Sequence, residues 1–269
     1  MGLDWIDSRC NQFRQKWIFE FGVIWRKHCR YLGRTVLINM NPALIAVAQN
    51  PLIISRGLVG YWSLRDGSGT IARDFSGNNN NGTVPSSSTG SNQIWSPSGK
   101  VGGCLDVATN GISVYGSGPY SYAVNFASPT SGAGDFSAFA WIFPVSSGGR
   151  RGILSWGGNG TADGTNLYVN SSNLLAFDLS NVGGPTSAAT ISETWTHVGV
   201  INSGGSVQLY VNGTVSGSPV SMSPTINNTY PGQIGGDLLP SFFNGYVSEV
   251  RVYNRALSSA EANILATTL

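Results

Sequence analysis

Paired carboxylates would be the first sign of hydrolytic chemistry in this chain. Retaining cleavage of a glycosidic bond needs two carboxyl groups about 5–5.5 Å apart, a spacing that alternate positions of one strand can supply. The ten acidic residues of positions 57–269 are scattered, and no two of them lie two positions apart. His197 lies in the segment Trp-Thr-His-Val, where we interpret it as a satisfied, half-buried structural histidine. We therefore expect no catalytic residues and no enzymatic activity.

Oxygen-bearing side chains alternate in a turn rich in glycine and asparagine, at Asp74, Ser76, Asn78 and Asn80. Carboxylate and amide oxygens are the ligands that Ca²⁺ prefers. The spacing is not that of an EF-hand, because asparagine and proline stand where that loop has its glycine and its bidentate glutamate. Asp74 and Asn78 are candidate ligands of a structural calcium ion. The alternative is that these side chains simply hold a turn.

Aromatic rings beside amide groups are suited to sugars, since rings stack on pyranose faces and amides bind hydroxyls. Trp156 is followed by Gly-Gly-Asn-Gly, where Asn159 supplies an amide and the glycines allow a ligand to approach closely. Tyr120, Tyr122 and Tyr230 lie in loop-like sequence and are secondary candidates. The alternative for Trp156 is a place in the core. The tryptophans that we expect to be buried are Trp62, Trp95, Trp141 and Trp195.

The composition indicates what kind of scaffold positions these side chains. Charged residues make up 10% of the chain, against about 25% in an average soluble domain. The 269 residues include 36 glycines, 8 Trp, 10 Tyr and 11 Phe. This composition is unsuited to a helical bundle and favours many short strands joined by tight turns. Disorder is excluded because 41% of the residues are hydrophobic and can form a core.

Alternating apolar residues predict many short strands from residue 57 onward. Asn212-Gly213 is a strong hairpin signal, and Ser258 to Glu261 form a capping box that opens one terminal helix. Strands without intervening helices predict an all-β fold, an antiparallel two-sheet sandwich. The predicted strands are Leu58–Leu64, Ser137–Phe143, Ile153–Trp156, Leu167–Asn170, Leu174–Leu179, Thr196–Ile201, Ser206–Asn212 and Tyr246–Tyr253.

Residues 1–56 differ from the rest in charge and pattern. They hold eight basic and three acidic residues, a net charge of +5, whereas residues 57–269 hold seven basic and ten acidic residues, a net charge of −3. Apolar residues at helical spacing predict a helix from Asp4 to about Leu32, followed by an extended linker to residue 56. Because aromatic residues occupy more than one face, we expect this arm to contact other protein subunits. The candidate contacts are Ile6, Phe13, Trp17, Phe21, Ile24 and Trp25.

Other partners for the basic arm have weaker support. We expect no nucleic-acid binding, because the arm has no recognised binding motif and its aromatics follow helical packing order. Contact with a membrane surface is an alternative of low weight, since basic residues lie beside Trp and Phe. The stretch 35–55 is interrupted by proline and polar residues and is a poor membrane span. No convincing secretion signal is present, and three cysteines without CxxC spacing predict no zinc site.

Several fragments of residues 57–269 resemble the laminin-G-like, concanavalin A-like jelly-roll family, and they occur in the same order along the chain as in that family. The opening GLVGYWSLRDGSGTIARDFSGNNNNGTV resembles its first strand and turn, and TWTHVGVINSGGSVQLYVNGTVSGS resembles its central hairpin. The fragment FNGYVSEVRVYNRALSSAEANIL resembles its last strand and helix. The resemblance runs from about residue 57 to 265, which defines a domain at 57–269 and leaves 1–56 outside.

The resemblance implies two curved, stacked sheets with glycans bound on the concave face or at the loops of one edge. Many members are structural or adhesive modules without a demonstrated ligand, so the fold does not settle the function. It also implies calcium ligands after the first strand, where Asp66 matches, and before the glutamate of the last strand, where Ser248 replaces the family's aspartate. The acidic cluster of the family's glycoside hydrolases is absent.

These observations favour a non-catalytic structural or attachment protein. We expect the arm of residues 1–56 to anchor the chain in a multi-subunit assembly, with a phage virion, head or tail, as the leading hypothesis. The jelly roll would then lie on the virion surface and bind glycans or cell surfaces. The alternative is a free extracellular carbohydrate-binding lectin module. A divergent glycoside hydrolase is the third hypothesis.

Overall fold

A computed structural model of the chain describes residues 30–31, 34–35, 54–83, 95–107, 124–126, 132–145, 148–227, 230–237 and 241–268. The chain divides into two units, Met1–Ala48 and Gln49–Leu269. In the first unit, strands β1 (Arg30–Tyr31) and β2 (Arg34–Thr35) pair in antiparallel fashion. The predicted helix is therefore wrong at residues 30 and 31, whose backbone groups form a β ladder. The rest of that predicted helix, and its candidate contacts, lie outside the described residues.

Among its described residues, the second unit contains one sheet of eight strands. Their spatial order is β13-β12-β11-β10-β18-β8-β5-β4, and neighbouring strands are antiparallel. These strands are β4 (Ile71–Ala72), β5 (Gly82–Thr83), β8 (Val124–Phe126), β10 (Arg151–Gly157), β11 (Gly164–Val169), β12 (Leu174–Leu179), β13 (Thr186–Thr190) and β18 (Tyr230–Ile234).

The other sheet of this unit has nine antiparallel strands in the part of the chain that the structure describes. Seven follow the order β16-β15-β14-β9-β19-β7-β6, while β17 pairs with β15 and β3 pairs with β19. These strands are β3 (Leu58–Trp62), β6 (Trp95–Ser96), β7 (Cys104–Asp106), β9 (Phe136–Pro144), β14 (Thr196–Ser203), β15 (Ser206–Val211), β16 (Thr214–Val215), β17 (Val220–Ser221) and β19 (Gly245–Tyr253). The predicted all-β sandwich is confirmed, and each predicted strand overlaps an observed one.

Alternating residues from both sheets form one continuous hydrophobic core. Val198 and Val200 of β14 belong to the same buried cluster as Leu167 and Val169 of β11. Because successive side chains of a strand point to opposite faces, the residues between these positions emerge on the outer faces. The predicted hairpin is also confirmed, since Asn212 lies at the turn between β15 and β16 with a φ of 49°.

A second hydrophobic cluster lies on the outer face of the nine-stranded sheet, beneath helix α1 (Ser259–Thr267). Leu265 of the helix packs in this cluster with Phe139 and Tyr210. Ile54, which precedes β3 in the chain, packs against the same cluster. The predicted capping box is confirmed. The Ser258 side chain accepts a hydrogen bond from the Glu261 amide, and the Glu261 carboxylate accepts one from the Ser258 amide.

We expect Ser258→Ala to lower the free energy of unfolding by about 1 kcal/mol, because it removes the cap of the helix that covers this cluster. Urea denaturation of the variant and the wild-type chain measures the difference. Ser259→Ala, which loses a neutral hydrogen bond to Tyr210, is the neighbouring control. It should lower the free energy of unfolding by less than Ser258→Ala does. Equal losses in the two variants would contradict a specific capping role.

Strand β19 carries a bulge between Ser248 and Arg251, and within it Glu249 adopts a φ of 56°. The Glu249 side chain is fully buried. Its carboxylate pairs with the guanidinium groups of Arg65 and, at 3.0 Å, of Arg251. The Tyr61 hydroxyl donates a third contact at 2.8 Å. The acidic side chain therefore lies between two cations, Arg251 of β19 itself and Arg65, which follows β3.

His197 of β14 is fully buried, not half-buried as predicted. Its ring stacks on Phe139 with 5.4 Å between centroids and lies 5.2 Å from the Trp141 ring. Neither ring nitrogen has a hydrogen-bond partner among the described residues, so the prediction of a satisfied histidine is also wrong. Burial, together with the positive charge of Arg251, lowers the pKa of His197 to about 3. The imidazole is therefore neutral at ordinary pH.

Three of the four tryptophans expected in the core are buried, whereas Trp195 is half-exposed. It lies beside Phe143 and Tyr246 on the outer face of the nine-stranded sheet, with centroids 5.9 Å and 6.5 Å away. The prediction of a core position for Trp195 is wrong because it directly precedes β14, at the end of the sheet. Within the described ranges, no helix has the length and apolar character required to cross a membrane.

Candidate functional site

A pocket of about 170 Å³ opens where β11 and β12 meet the loop after β10. Most of its lining side chains carry amide, hydroxyl or carboxylate groups, which bind hydroxyl-rich ligands. Pockets for drug-sized ligands span about 300–1,000 Å³, so this one suits a single ring or the end of a chain. The lining residues are Asn159, Asn166, Asp178, Ser180, Asn181, Val182 and Gly183.

The pocket is the open end of a row of polar residues across four strands. Each member of the row is paired in register with the next. From strand to strand they are Gln233 on β18, Ser155 on β10, Asn166 on β11 and Asp178 on β12. They alternate with core residues such as Leu167, so they emerge on the outer face of the sheet. Gln233 and Ser155 are fully buried, Asn166 is nearly so, and Asp178 is half-buried. The row of polar side chains thus runs from buried positions on β18 and β10 to the pocket at β11 and β12.

Asp178 belongs to a charge cluster around Arg150, the residue that precedes β10. The Nη1 atom of Arg150 lies 2.7 Å from Oδ2 of Asp178, and its Nε atom lies 2.5 Å from Oδ2 of Asp237. The guanidinium carbon stands 3.5 Å from the centroid of the Tyr168 ring. The Asn166 amide donates a hydrogen bond of 2.8 Å to the second oxygen of Asp178. One cation is thus enclosed by two carboxylates and an aromatic face.

The two ionised partners of this cluster respond differently to their surroundings. Burial raises the pKa of Asp237 to about 6, although the charge and hydrogen bond of Arg150 oppose this effect. Burial lowers the pKa of Arg150, but the hydrogen bond to Asp178 and the charge of Asp237 outweigh it, so the net direction is upward. Both pKa values rise, but at Asp237 burial dominates and favours the neutral acid, whereas at Arg150 the two carboxylates dominate and favour the charged guanidinium. At neutral pH the cluster carries a net charge of −1.

The loop after β10 is shaped around Asp163. A Cβ atom on Gly158 would collide with the Asp163 carboxylate, which accepts a hydrogen bond of 2.8 Å from the Asn227 amide. The Asn181 amide donates to the carbonyl oxygens of Asn159 and Gly160 at 3.0 and 3.1 Å. The glycines were predicted to admit a ligand, and here they make room for an internal carboxylate. The loop is thereby fixed with Asn159 at the pocket.

Comparison with family models decides the classification of the chain. The model described as the concanavalin A-like lectin/glucanases superfamily matches residues 117–263, more than half of the 269 residues. The chain belongs to this superfamily. The resemblance predicted from the sequence is confirmed, and the fold of the superfamily domain is one of carbohydrate-binding lectins and glucanases. No curated protein sequence matches the chain.

Solved structures share the fold of the superfamily domain at low sequence identity. Domain 4 of AbnA, a GH43 extracellular arabinanase from Geobacillus stearothermophilus in complex with arabinotriose, is 19% identical over 78% of this chain and 98% of its own, with a TM-score of 0.59. Trypanosoma rangeli sialidase is 14% identical over 85% of this chain and 38% of its own, at 0.56. The binding domain of Paraclostridial Mosquitocidal Protein 1 is 15% identical over 80% and 53%, at 0.55.

The structure brings one predicted sugar-binding residue to the pocket of the superfamily domain. Asn159 is exposed and lines it. Trp156 is fully buried and packs on Phe136 with 5.5 Å between ring centroids. The prediction for Trp156 is wrong, because its position on β10 directs the ring into the core. Tyr230 is half-buried and pairs with the end of β10, while residues 120 and 122 lie outside the described ranges.

The predicted calcium ligands form hydrogen bonds and an ion pair within the protein. Asp74 accepts hydrogen bonds from the backbone amides of Tyr61, Ser76 and Asn80 at 2.8–2.9 Å. Asp66 pairs with the guanidinium of Arg73 at 3.0 Å. The Asn78 amide donates to backbone and hydroxyl oxygens. In the described part of the chain no three His, Cys, Asp or Glu side chains gather as a metal site. These contacts favour the alternative interpretation, a side-chain-stabilised turn.

Sequence reasoning missed the charge cluster because its members are distant along the chain. Arg150, Asp178 and Asp237 are separated by 28 and 59 positions, so no local motif connects them. One signal was available. Asp178 is a carboxylate inside the otherwise apolar strand predicted at Leu174–Leu179, which marks a polar contact on the outer face.

Proposed function

We propose that this chain is a non-catalytic attachment protein that binds glycans through the pocket at Asn159, Asn166 and Asp178. The single observation that supports this proposal most is the convergence of amide and carboxylate groups in one pocket of a lectin/glucanase-type fold. Such groups hydrogen-bond sugar hydroxyls in defined directions. The arabinanase domain with the same fold was solved with arabinotriose, which makes arabino-oligosaccharides a reasonable first probe.

The environment of the carboxylates supports the non-catalytic part of the proposal. A retaining glycosidase needs both carboxyl groups in contact with the substrate. The Asp237 side chain is fully buried, and its Oδ2 atom is held by Arg150. Asp178 is bound to the same guanidinium. Hydrolysis assays on arabinan and β-glucan with the full chain test this directly, and release of reducing ends above background would reject it.

Asn159→Ala is expected to weaken binding of the oligosaccharide about five- to tenfold, because it removes one amide that contacts the ligand. Asn159 is exposed, and no hydrogen bond of its side chain holds the fold among those described, so stability should be unchanged. Glycan-array screening followed by calorimetry measures the effect. Asn263→Ala, an exposed asparagine on α1, is the matched control. Equal affinity in both variants would remove the pocket from the proposal.

The N-terminal residues 1–56 form the second part of the proposal. We propose that they join other protein subunits in a larger assembly, with a phage virion as the leading candidate, and that the β domain is displayed on the surface of the virion. Their net charge of +5 and clustered aromatic residues support a separate partner for this region. A chain beginning at Gln49 keeps the contact of Ile54 with the sandwich. Light scattering should then find the full chain associated and the shortened chain monomeric.

A free extracellular lectin module is the second candidate function, and the superfamily fold supports it equally. The two candidates share the pocket and differ in the role of residues 1–56. Glycan binding by a full chain that stays monomeric in light scattering would favour the lectin module. Association of the full chain through residues 1–56 would favour the attachment protein.

A further inference from the structure

The charge at the pocket depends on which groups pair with the guanidinium of Arg150. Its Nε and Nη1 atoms lie 2.5 and 2.7 Å from the carboxylates of Asp237 and Asp178, and Nη2 reaches the second oxygen of Asp178 at 3.4 Å. One face of the guanidinium lies on Tyr168. The two edges that would form a bidentate pair with an anionic ligand are therefore occupied by protein carboxylates.

The other arginine of this segment is also engaged. The Nη2 atom of Arg151 lies 2.5 Å from the side-chain oxygen of Asn173, in the turn between β11 and β12, and the residue is 3% exposed. Lys and Arg are absent from the residues that line the pocket. The ionisable side chain among these lining residues is that of Asp178, so the charged group at the pocket wall is a carboxylate.

We infer that the pocket selects neutral sugars and discriminates against carboxylated and sulfated ones, and that Asp178 is the residue that determines this selectivity. The inference rests on the proposed function, because it concerns the same pocket. Asp178 does two things at once. Its two oxygens pair with the Nη1 and Nη2 atoms of Arg150, and its side chain, which is 15% exposed, lines the pocket.

The expected size of the effect follows from the position of the carboxylate. Like charges a few ångströms apart near a protein surface repel strongly enough to weaken binding about tenfold or more. A neutral sugar meets no such penalty, and its hydroxyl groups can donate hydrogen bonds to the oxygens of Asp178. Dissolved salt screens the repulsion between the half-buried Asp178 carboxylate and an anionic ligand only in part. The selectivity should therefore shrink, without vanishing, as the salt concentration rises.

Matched pairs of oligosaccharides test the inference on the full chain at pH 7.5, where Asp237, with a pKa of about 6, is ionised. Lactose is compared with sialyllactose, and galacto-oligosaccharides with oligogalacturonates, beside arabinotriose. We expect neutral members to bind at least about tenfold more tightly than their anionic partners in 50 mM salt. Equal or tighter binding of the anionic members would overturn the inference while leaving glycan binding intact. Absence of binding by every probe would reject the proposed function, and the inference with it.

Two sets of variants test the role of Asp178. Asp178→Asn keeps the shape and removes the charge, and it should reduce the discrimination about tenfold. Asp237→Asn removes the same charge from the buried side of Arg150 and should reduce it less. The exposed Val182, also a lining residue, offers a pair that leaves the cluster intact. Val182→Glu should sharpen the discrimination and Val182→Lys should relax it. Discrimination unchanged in Asp178→Asn and in both Val182 variants would overturn the assignment.

Discussion

Glu249→Gln is expected to lower the free energy of unfolding by about 3 kcal/mol, although it changes one oxygen into an amide group. The glutamate is fully buried and lies between Arg65 and Arg251. Without its charge, two cations remain beside each other, and the Arg251 side chain is 10% exposed. Removing one partner of a buried ion pair costs about 3–5 kcal/mol, and glutamine, which keeps some hydrogen bonds, falls at the lower end.

Asp66→Asn is the matched control, because it makes the same chemical change in the pair with Arg73. The Asp66 side chain is 2% exposed, but the Arg73 side chain is 66% exposed. Water therefore solvates the cation that remains, and the loss should be about 1 kcal/mol or less. The midpoint temperature of thermal unfolding should therefore fall by about 6–12 °C in Glu249→Gln and by about 3 °C or less in Asp66→Asn. Similar small losses in both variants would show that the bulge of β19 does not depend on this carboxylate.

The sandwich could be predicted from the sequence because strand alternation and turn chemistry are local. The period-two pattern of Ser206–Val211 and the Asn212-Gly213 turn fix a hairpin without any knowledge of its neighbours. Leu174–Leu179 was predicted with its observed bounds. The bulge at Glu249 could not be predicted, since its carboxylate pairs with Arg65, which follows β3 and lies 184 positions earlier.

The candidate site was predictable in part, and the part that failed has a physical reason. Sequence reasoning placed Asn159 at a site, but it chose Trp156 as the sugar platform because glycines follow it. A ring on β10 points to one face or the other according to register, and a bulge between residues 152 and 154 alters that register. Likewise the chain has few charges, and those of Arg150, Asp178 and Asp237 gather only when three distant segments meet.

Acid is expected to destabilise the wild-type chain through His197 by about 2–3 kcal/mol between pH 7 and pH 4.5. The unfolded chain takes up a proton at this histidine below about pH 6.5, whereas the folded chain resists protonation until about pH 3. Unfolding therefore binds a proton in this window, and the free energy of unfolding falls as pH falls. In His197→Leu, which fills the space between Phe139 and Trp141 with an apolar side chain, this contribution should disappear.

The difference between the two chains is the quantity to measure, because Asp237 acts in the opposite direction. Its raised pKa of about 6 makes the folded chain bind a proton before the unfolded one, so it adds stability as pH falls from 6 to 4. Urea denaturation of wild type and His197→Leu at several pH values cancels that shared contribution. The sequence contains two histidines, so in a His28→Gln background the NMR signal of His197 can be followed alone. A protonated imidazole in the folded chain at pH 5 would contradict the prediction, because the ring would then have a proton acceptor that its stacked, enclosed position does not provide.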